Sequence, residues 1–212
     1  MNRKKIIFFI AAGIILIACA IGYAVCSDIE AAEAQEAALE AEDVLEGLYE
    51  AAGTQPFVNE PDQASSADEE YDAETGIPAM SVLEIDGQEY IGTVEVPSVG
   101  IKMPIISECD EEKLRISPCR YSGSYYTDDL VLSGHNYRGG RHFSPLRNVE
   151  VGADVRYTTV EGKVIKYKVS AIEDLKPTEV DRMITKDGWD LTLYTCRTLR
   201  DVRLTVRCVR TE

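Results

Sequence analysis

Histidine is scarce in this chain: its 212 residues include two, His135 and His142. Any mechanism that pairs a nucleophile with an imidazole must use one of them. Metal sites are equally poorly supplied. The six cysteines contain no C-x-x-C pair, which argues against zinc, and the many acids form no D-x-D-x-D-G loop for calcium. Neither a metal nor a cofactor is expected. Basic residues are missing altogether from residues 27–76, which hold 16 acids, while residues 77–212 are nearly balanced, with 19 basic and 21 acidic groups. A chain of net charge −15 with no basic face offers little to a phosphate backbone, so nucleic acid is not an expected partner. Internal repeats are absent too. Once the N-terminal segments are set aside, the remaining length suits one domain with one core, which argues against a two-domain enzyme.

What the chain does have is a long apolar run near its start. Residues 6–25, IIFFIAAGIILIACAIGYAV, carry no charge and have the length a helix needs to cross a ~30 Å hydrocarbon core. Arg3, Lys4 and Lys5 precede the run and Asp28, Glu30 and Glu33 follow it, which places the N-terminus in the cytoplasm and the rest outside. A cleaved signal peptide would have a shorter apolar core and a small-x-small cleavage site. Leu16-Ile17-Ala18-Cys19 resembles a lipoprotein box that would leave Cys19 lipidated, but apolar Ala20 to Val25 follow it where a polar tether belongs. An uncleaved single-pass anchor, held in membrane lipid, is the better reading.

The expected division is therefore a cytoplasmic N-terminus at 1–5, a transmembrane anchor at 6–25, an acidic extracellular stalk and linker at 26–78, and a folded domain at 79–212. Residues 28–52 are rich in Ala, Glu and Leu, which favour helix. Their larger apolar positions, Leu39, Val44, Leu45 and Leu48, are sparse, which predicts a solvated helical spacer rather than a coiled coil. Residues 53–78, with Pro, Ser and acids, read as disordered linker.

From Tyr90 onward the pattern changes to short β-like runs at 90–97, 99–106, 129–134, 154–160, 163–174, 189–196 and 202–209. Turn signals such as Pro97-Ser98, Glu161-Gly162 and Asp187-Gly188 separate them. Seven or eight strands in this length predict an all-β barrel or sandwich, with short helical turns at 110–116 and 142–148. His135 follows the apolar run 130–134 and Cys196 follows 191–195, so both stand where a strand ends and a side chain can project onto a rim. Each by itself is better explained as a packed structural side chain. Spacing alone leaves both readings open.

Leu132-Ser133-Gly134-His135-Asn136, then Thr192-Leu193-Tyr194-Thr195-Cys196, then Arg203-Leu204-Thr205-Val206 resemble, in that order, the three motifs of the sortase family of cysteine transpeptidases. Gly92-Thr93-Val94-Glu95-Val96-Pro97, Met103-Pro104-Ile105 and Phe143-Ser144-Pro145-Leu146 extend the likeness over residues 90–210. The resemblance implies a closed β-barrel of seven to eight strands behind a transmembrane helix. It implies Cys196 as nucleophile, His135 as proton donor and acceptor, and Arg203 as a charge beside the oxyanion or the substrate backbone. Thr195 and Arg197, the latter through its backbone N–H, are implied as oxyanion or substrate-positioning residues.

The implied substrates are secreted proteins with an LPxTG-like sorting signal, joined to a peptidoglycan precursor or pilin amine at the outer face of a Gram-positive membrane. The DP-aromatic lid of pilus-polymerising sortases is missing, because Glu60-Pro61-Asp62 does not match it, and 174–188 is too short for the long helix of class B. A compact class A-, D- or E-like enzyme is expected. Arg207 shares a strand face with Arg203 and is expected at the surface. His142, after Gly139-Gly140, is the alternative base, on a loop. An extracellular cysteine endopeptidase and a non-catalytic binding module are the competing functions. Cys109 and Cys119 could oxidise in an exported domain, though their ten-residue separation does not say whether they meet. Cys208 reads as core.

Overall fold

The computed structural model describes residues 3–51, 78–137, 140–197 and 201–211. After the long helix α1 (Arg3–Ala51) come β1 (Leu83–Ile85), β2 (Gln88–Val96), β3 (Ile101–Ile106), α2 (Glu111–Ile116), β4 (Cys119–Ser122) and β5 (Leu130–Ser133). A 3-10 turn (Ser144–Asn148) leads to β6 (Asp154–Thr159), β7 (Val164–Leu175), α3 (Val180–Ile184), β8 (Leu191–Cys196) and β9 (Arg203–Arg210). The strands run in the order β1-β2-β3-β4-β5-β8-β9-β7-β6, and β6 pairs back onto β2. Eight strands thus close into a barrel, with β1 as a ninth strand hooked onto β2; closure leaves the barrel itself no free edge.

The all-β barrel is the one expected, and the helical turns at 110–116 and 142–148 lie where α2 and the 3-10 turn form. The sequence reading missed β1, β4 and α3, which are three to five residues long. Runs that short carry too few positions to display a period.

Alternation along the strands fills the barrel. Leu130 and Leu132 of β5, Leu191 and Leu193 of β8, and Leu204, Val206 and Cys208 of β9 point inward and join one core with Val94, Ile105, Tyr157 and Phe143. Cys208 is core, as expected, and burial pushes its thiol up to about 12. Gly92 marks where the pairing of β2 with β3 shifts register. Its φ is +147°, and a Cβ there would lie 2.1 Å from the Thr158 carbonyl oxygen, so only glycine lets β2 and β6 approach.

The stalk departs from expectation. Residues 28–51 are helical and continuous with the apolar segment in α1, but this helix is not a solvated spacer. Ala38, Ala41 and Leu45 are buried at three- and four-residue spacing. Ala38 joins the barrel core, and Ala41 packs in a second cluster with Tyr90, Ile106 and Cys119. Lys102 of β3 bridges Glu42 and Glu46 at 3.0 Å each. Leu39, Val44 and Leu48 stay exposed, while Leu45 is fully buried. The helix docks through two alanines, whose small side chains let it come close, and through Leu45.

The linker proposed for 53–78 falls, up to residue 77, outside the described residues. Within α1 the described side chains begin at Ala12, and among the described residues no helix is long and apolar enough to cross a membrane. Membrane spanning therefore rests on the sequence alone.

Candidate active site

Register and parity bring three distant residues to one place. β5 and β8 pair in parallel, with Ser133 opposite Tyr194, and the ladder continues through the Gly134 N–H donating to the Tyr194 carbonyl at 3.1 Å. His135 and Cys196 each lie two residues beyond that pair, so they leave the barrel at the same end. β9 is antiparallel to β8 and begins opposite its last residue, Cys196 against Arg203. The inward leucines fix the parity: Val131 and Ser133 take the outer face of β5, Tyr194 and Cys196 that of β8, and Arg203, Thr205 and Arg207 that of β9, and the same count carried two residues past β5 puts His135 on that side. His135, Cys196 and Arg203 therefore share one face at one edge.

Local packing holds the edge together. Cys196 is exposed, and its carbonyl accepts a 2.7 Å hydrogen bond from the Asn136 side-chain amide. Gly134 is glycine because a Cβ there would lie 2.5 Å from the Phe143 ring. Phe143, fully buried, donates its backbone N–H to the His135 carbonyl at 3.2 Å. The Gly-His and Phe-x-x-Leu motifs are thus one packing unit. The Arg203 guanidinium lies 5.7 Å from the Tyr194 ring centre and donates to the Pro177 carbonyl at 3.2 Å.

His135 is half-buried, and its ring lies 5.0 Å from that of Tyr137. Burial holds its imidazole below the ordinary value, the Arg115 charge lowers it further, and Glu111 acts against both. Both charges come from α2, whose Arg115 carbonyl also accepts from the Tyr137 hydroxyl at 3.5 Å. α2 is thus a wall of the site. Nothing in the sequence pointed to it, because a six-residue helix twenty residues upstream carries no motif.

Four expected roles meet a different placement. Thr195 faces the core at 2% exposure, with its hydroxyl unpartnered among the described residues, so its side chain does not look onto the site. The Arg197 N–H donates to the Val202 carbonyl at 3.0 Å, and its side chain pairs with Asp174. That N–H closes the β8–β9 connection and is not free for an oxyanion in this arrangement. His142 is no loop base: it is 2% exposed, bridged to Asn136, and burial, aided by the His135 charge, lowers it to about 4.

Arg207 is not on the surface either. Its side chain is 1% exposed, pairs with Glu173 at 3.0 Å and donates to the Met183 and Arg182 carbonyls and the Thr192 hydroxyl. The Trp189 ring lies 4.1 Å from its guanidinium. The connection carrying α3 folds over the outer face of β9 and turns a surface position into an interior one.

The sortase domain family model matches residues 94–211. Sortase A of Staphylococcus aureus is 30% identical over 141 residues, which are 63% of this chain and 65% of that protein, so the chain spans just under two thirds of this curated relative. Among solved structures, sortase C1 from Streptococcus suis is 27% identical, with a TM-score of 0.51 over 58% of this chain and 73% of that one. The Group B Streptococcus pilus island 1 sortase C2 is 28% identical, with a TM-score of 0.53 over 61% and 77%. The matched stretch runs from β2 to the end of β9, through every strand of the barrel and all three residues of the edge, and the chain belongs to the sortase family.

Proposed function

We propose that this protein is a cysteine transpeptidase that cuts an LPxTG-like sorting signal in secreted proteins and joins the new acyl end to an amine of the cell wall or of a pilin. The observation that carries this reading is the convergence of exposed Cys196, half-buried His135 and Arg203 on one outer face. The Cys196 sulfur attacks the scissile carbonyl and its proton passes to His135. The imidazolium then protonates the leaving amine as the thioester forms. An acceptor amine attacks the thioester, gives its proton to His135, and Cys196 is released. Arg203 stabilises the oxyanion at both stages or aligns the substrate backbone. A lowered His135 value favours the neutral imidazole, which is the form that accepts protons at neutral pH.

The same reading places residues 6–25 across the membrane with residues 1–5 inside and the barrel outside, as the flanking charges direct. The connection between β7 and β8 holds only five-residue α3, which fits a compact class A-, D- or E-like enzyme and not class B.

The test is mass spectrometry of the full chain in detergent, incubated with LPxTG-like peptides and triglycine. A peptide–triglycine adduct that disappears in Cys196→Ala and His135→Ala, with an acyl mass trapped on Cys196, is the expected result. Free acid without adduct would make the protein an endopeptidase, and adduct formation that survives Cys196→Ala would remove the mechanism.

A further inference from the structure

Cys109 and Cys119 lie on the two sides of the α2 excursion. The chain leaves β3 at Ile106, turns through Asp110, whose carboxylate caps α2 by accepting the Lys113 N–H at 2.8 Å, and returns at Cys119, the ladder partner of Ile106. The return is fixed by the Ile106 N–H donating to the Pro118 carbonyl at 2.9 Å and by the Ser117 hydroxyl donating to the Pro104 carbonyl at 2.7 Å. Both cysteines then pack in one cluster with Ile106, Leu114, Ile116 and Ala41 of α1. The Cys119 thiol donates to the Ser117 carbonyl at 3.2 Å, Cys109 packs against the same cluster, and each thiol is the leading influence on the other's ionisation. Cys119 is fully buried and Cys109 only half-buried.

We propose that Cys109 and Cys119 form a dithiol that exchanges with a small-molecule or protein disulfide to become an intramolecular disulfide, tethering α2 to the barrel beside His135. The chemistry starts at the accessible member. The Cys109 thiolate attacks one sulfur of the oxidant and releases the other as a thiolate; Cys119 then attacks the Cys109 sulfur and expels the second half. The two thiols lose two electrons and two protons, and the oxidant disulfide becomes two thiols. Contact with Cys119 favours the Cys109 thiolate, the attacking form. The Cys119 thiol is raised first by that contact and then by burial, so Cys119 is the second thiol to react.

The consequence is local. α2 supplies Arg115 and Glu111 to the surroundings of His135 and the carbonyl that holds Tyr137, and a bond at its base limits how far that wall can open. The inference does not depend on the reaction proposed above.

The experiment treats the full chain in detergent with glutathione disulfide, alkylates remaining thiols, and maps tryptic peptides without reduction. Lys113 and Arg115 lie between the two cysteines, so the disulfide joins two separate peptides. The expected product is the Cys109–Cys119 pair, lost on reduction, with a thermal midpoint about 5 °C higher in the oxidised protein. Cys109→Ser and Cys119→Ser should each abolish both; Cys109 is half-buried, so its variant keeps the test sound if Cys119→Ser folds poorly. Cys109 carrying only glutathione, linkage of either residue to another cysteine, or a lower midpoint on oxidation would overturn the proposal.

Discussion

The outer face of β9 carries two arginines in opposite circumstances. Arg203, at the strand's start, is half-buried beside exposed Cys196 and donates a hydrogen bond to the Pro177 carbonyl. Arg207, four residues on, is closed off from solvent by the α3 connection, with Glu173, two carbonyls, a threonine hydroxyl and Trp189 around it. One face of one strand is thus open at one end and sealed at the other. The open end keeps its charge available for chemistry, and the sealed end uses its charge to pin the connection. A guanidinium suits both tasks because its five donors satisfy a buried shell as well as they grip a carboxylate or an oxyanion.

The sharpest way to separate the two ends is to remove the thiol proposed as nucleophile. Cys196→Ala should lower transpeptidation by about 10⁴-fold or more and leave the thermal midpoint unchanged, because the side chain is exposed and buries nothing. Arg203→Ala should cost about 10²- to 10³-fold in kcat/KM with little change in stability, as measured by the same peptide assay and by urea unfolding. Arg207→Met should reverse that pattern, destabilising the fold by about 2 to 4 kcal/mol by leaving Glu173 and the two carbonyls without their partner. An Arg207→Met variant as stable as the parent would mean that the seal is not held by charge.

The smallest effect concerns the other histidine. His142, lowered to about 4 in the folded protein, binds its proton more readily when unfolded, where its ordinary value is 6.5. Its neutral form stabilises the fold fully above pH 6.5, and that contribution is lost as pH falls from 6.5 towards 4. Between pH 6.5 and 5.5 the loss is about 1 kcal/mol. His142→Asn, which tolerates the local φ of +50°, should flatten that part of the urea-midpoint profile. An unchanged slope would assign the pH dependence to other groups.

The site was legible where chemistry and strand pattern coincide. His135 and Cys196 each end an apolar run whose inward leucines set their parity, so their face followed from counting by two, and Arg203 followed from the same count. Thr195 faces the core, a direction that a motif letter does not report: the residue before an outward cysteine points inward. The Arg197 N–H is paired with the Val202 carbonyl, a partner that appears only once β8 and β9 are joined. Asn136 stood inside the motif without a role, and its grip on the Cys196 carbonyl is visible only with the two strand ends side by side.

By itself the sequence determined the period-two runs, the motif residues and the lopsided charge, since all of these are local or compositional. Tertiary structure alone decided what is covered. Ala38 and Ala41 look neutral in a helix and become contact residues because β2, β3 and α2 offer them a surface close enough for a methyl group. Arg207 looks solvated and becomes interior because a connection about twenty residues earlier lies over it. Cys109 and Cys119 meet because β4 returns in parallel beside β3. Burial belongs to pairs of segments, and no single stretch of sequence records what will come to lie on top of it.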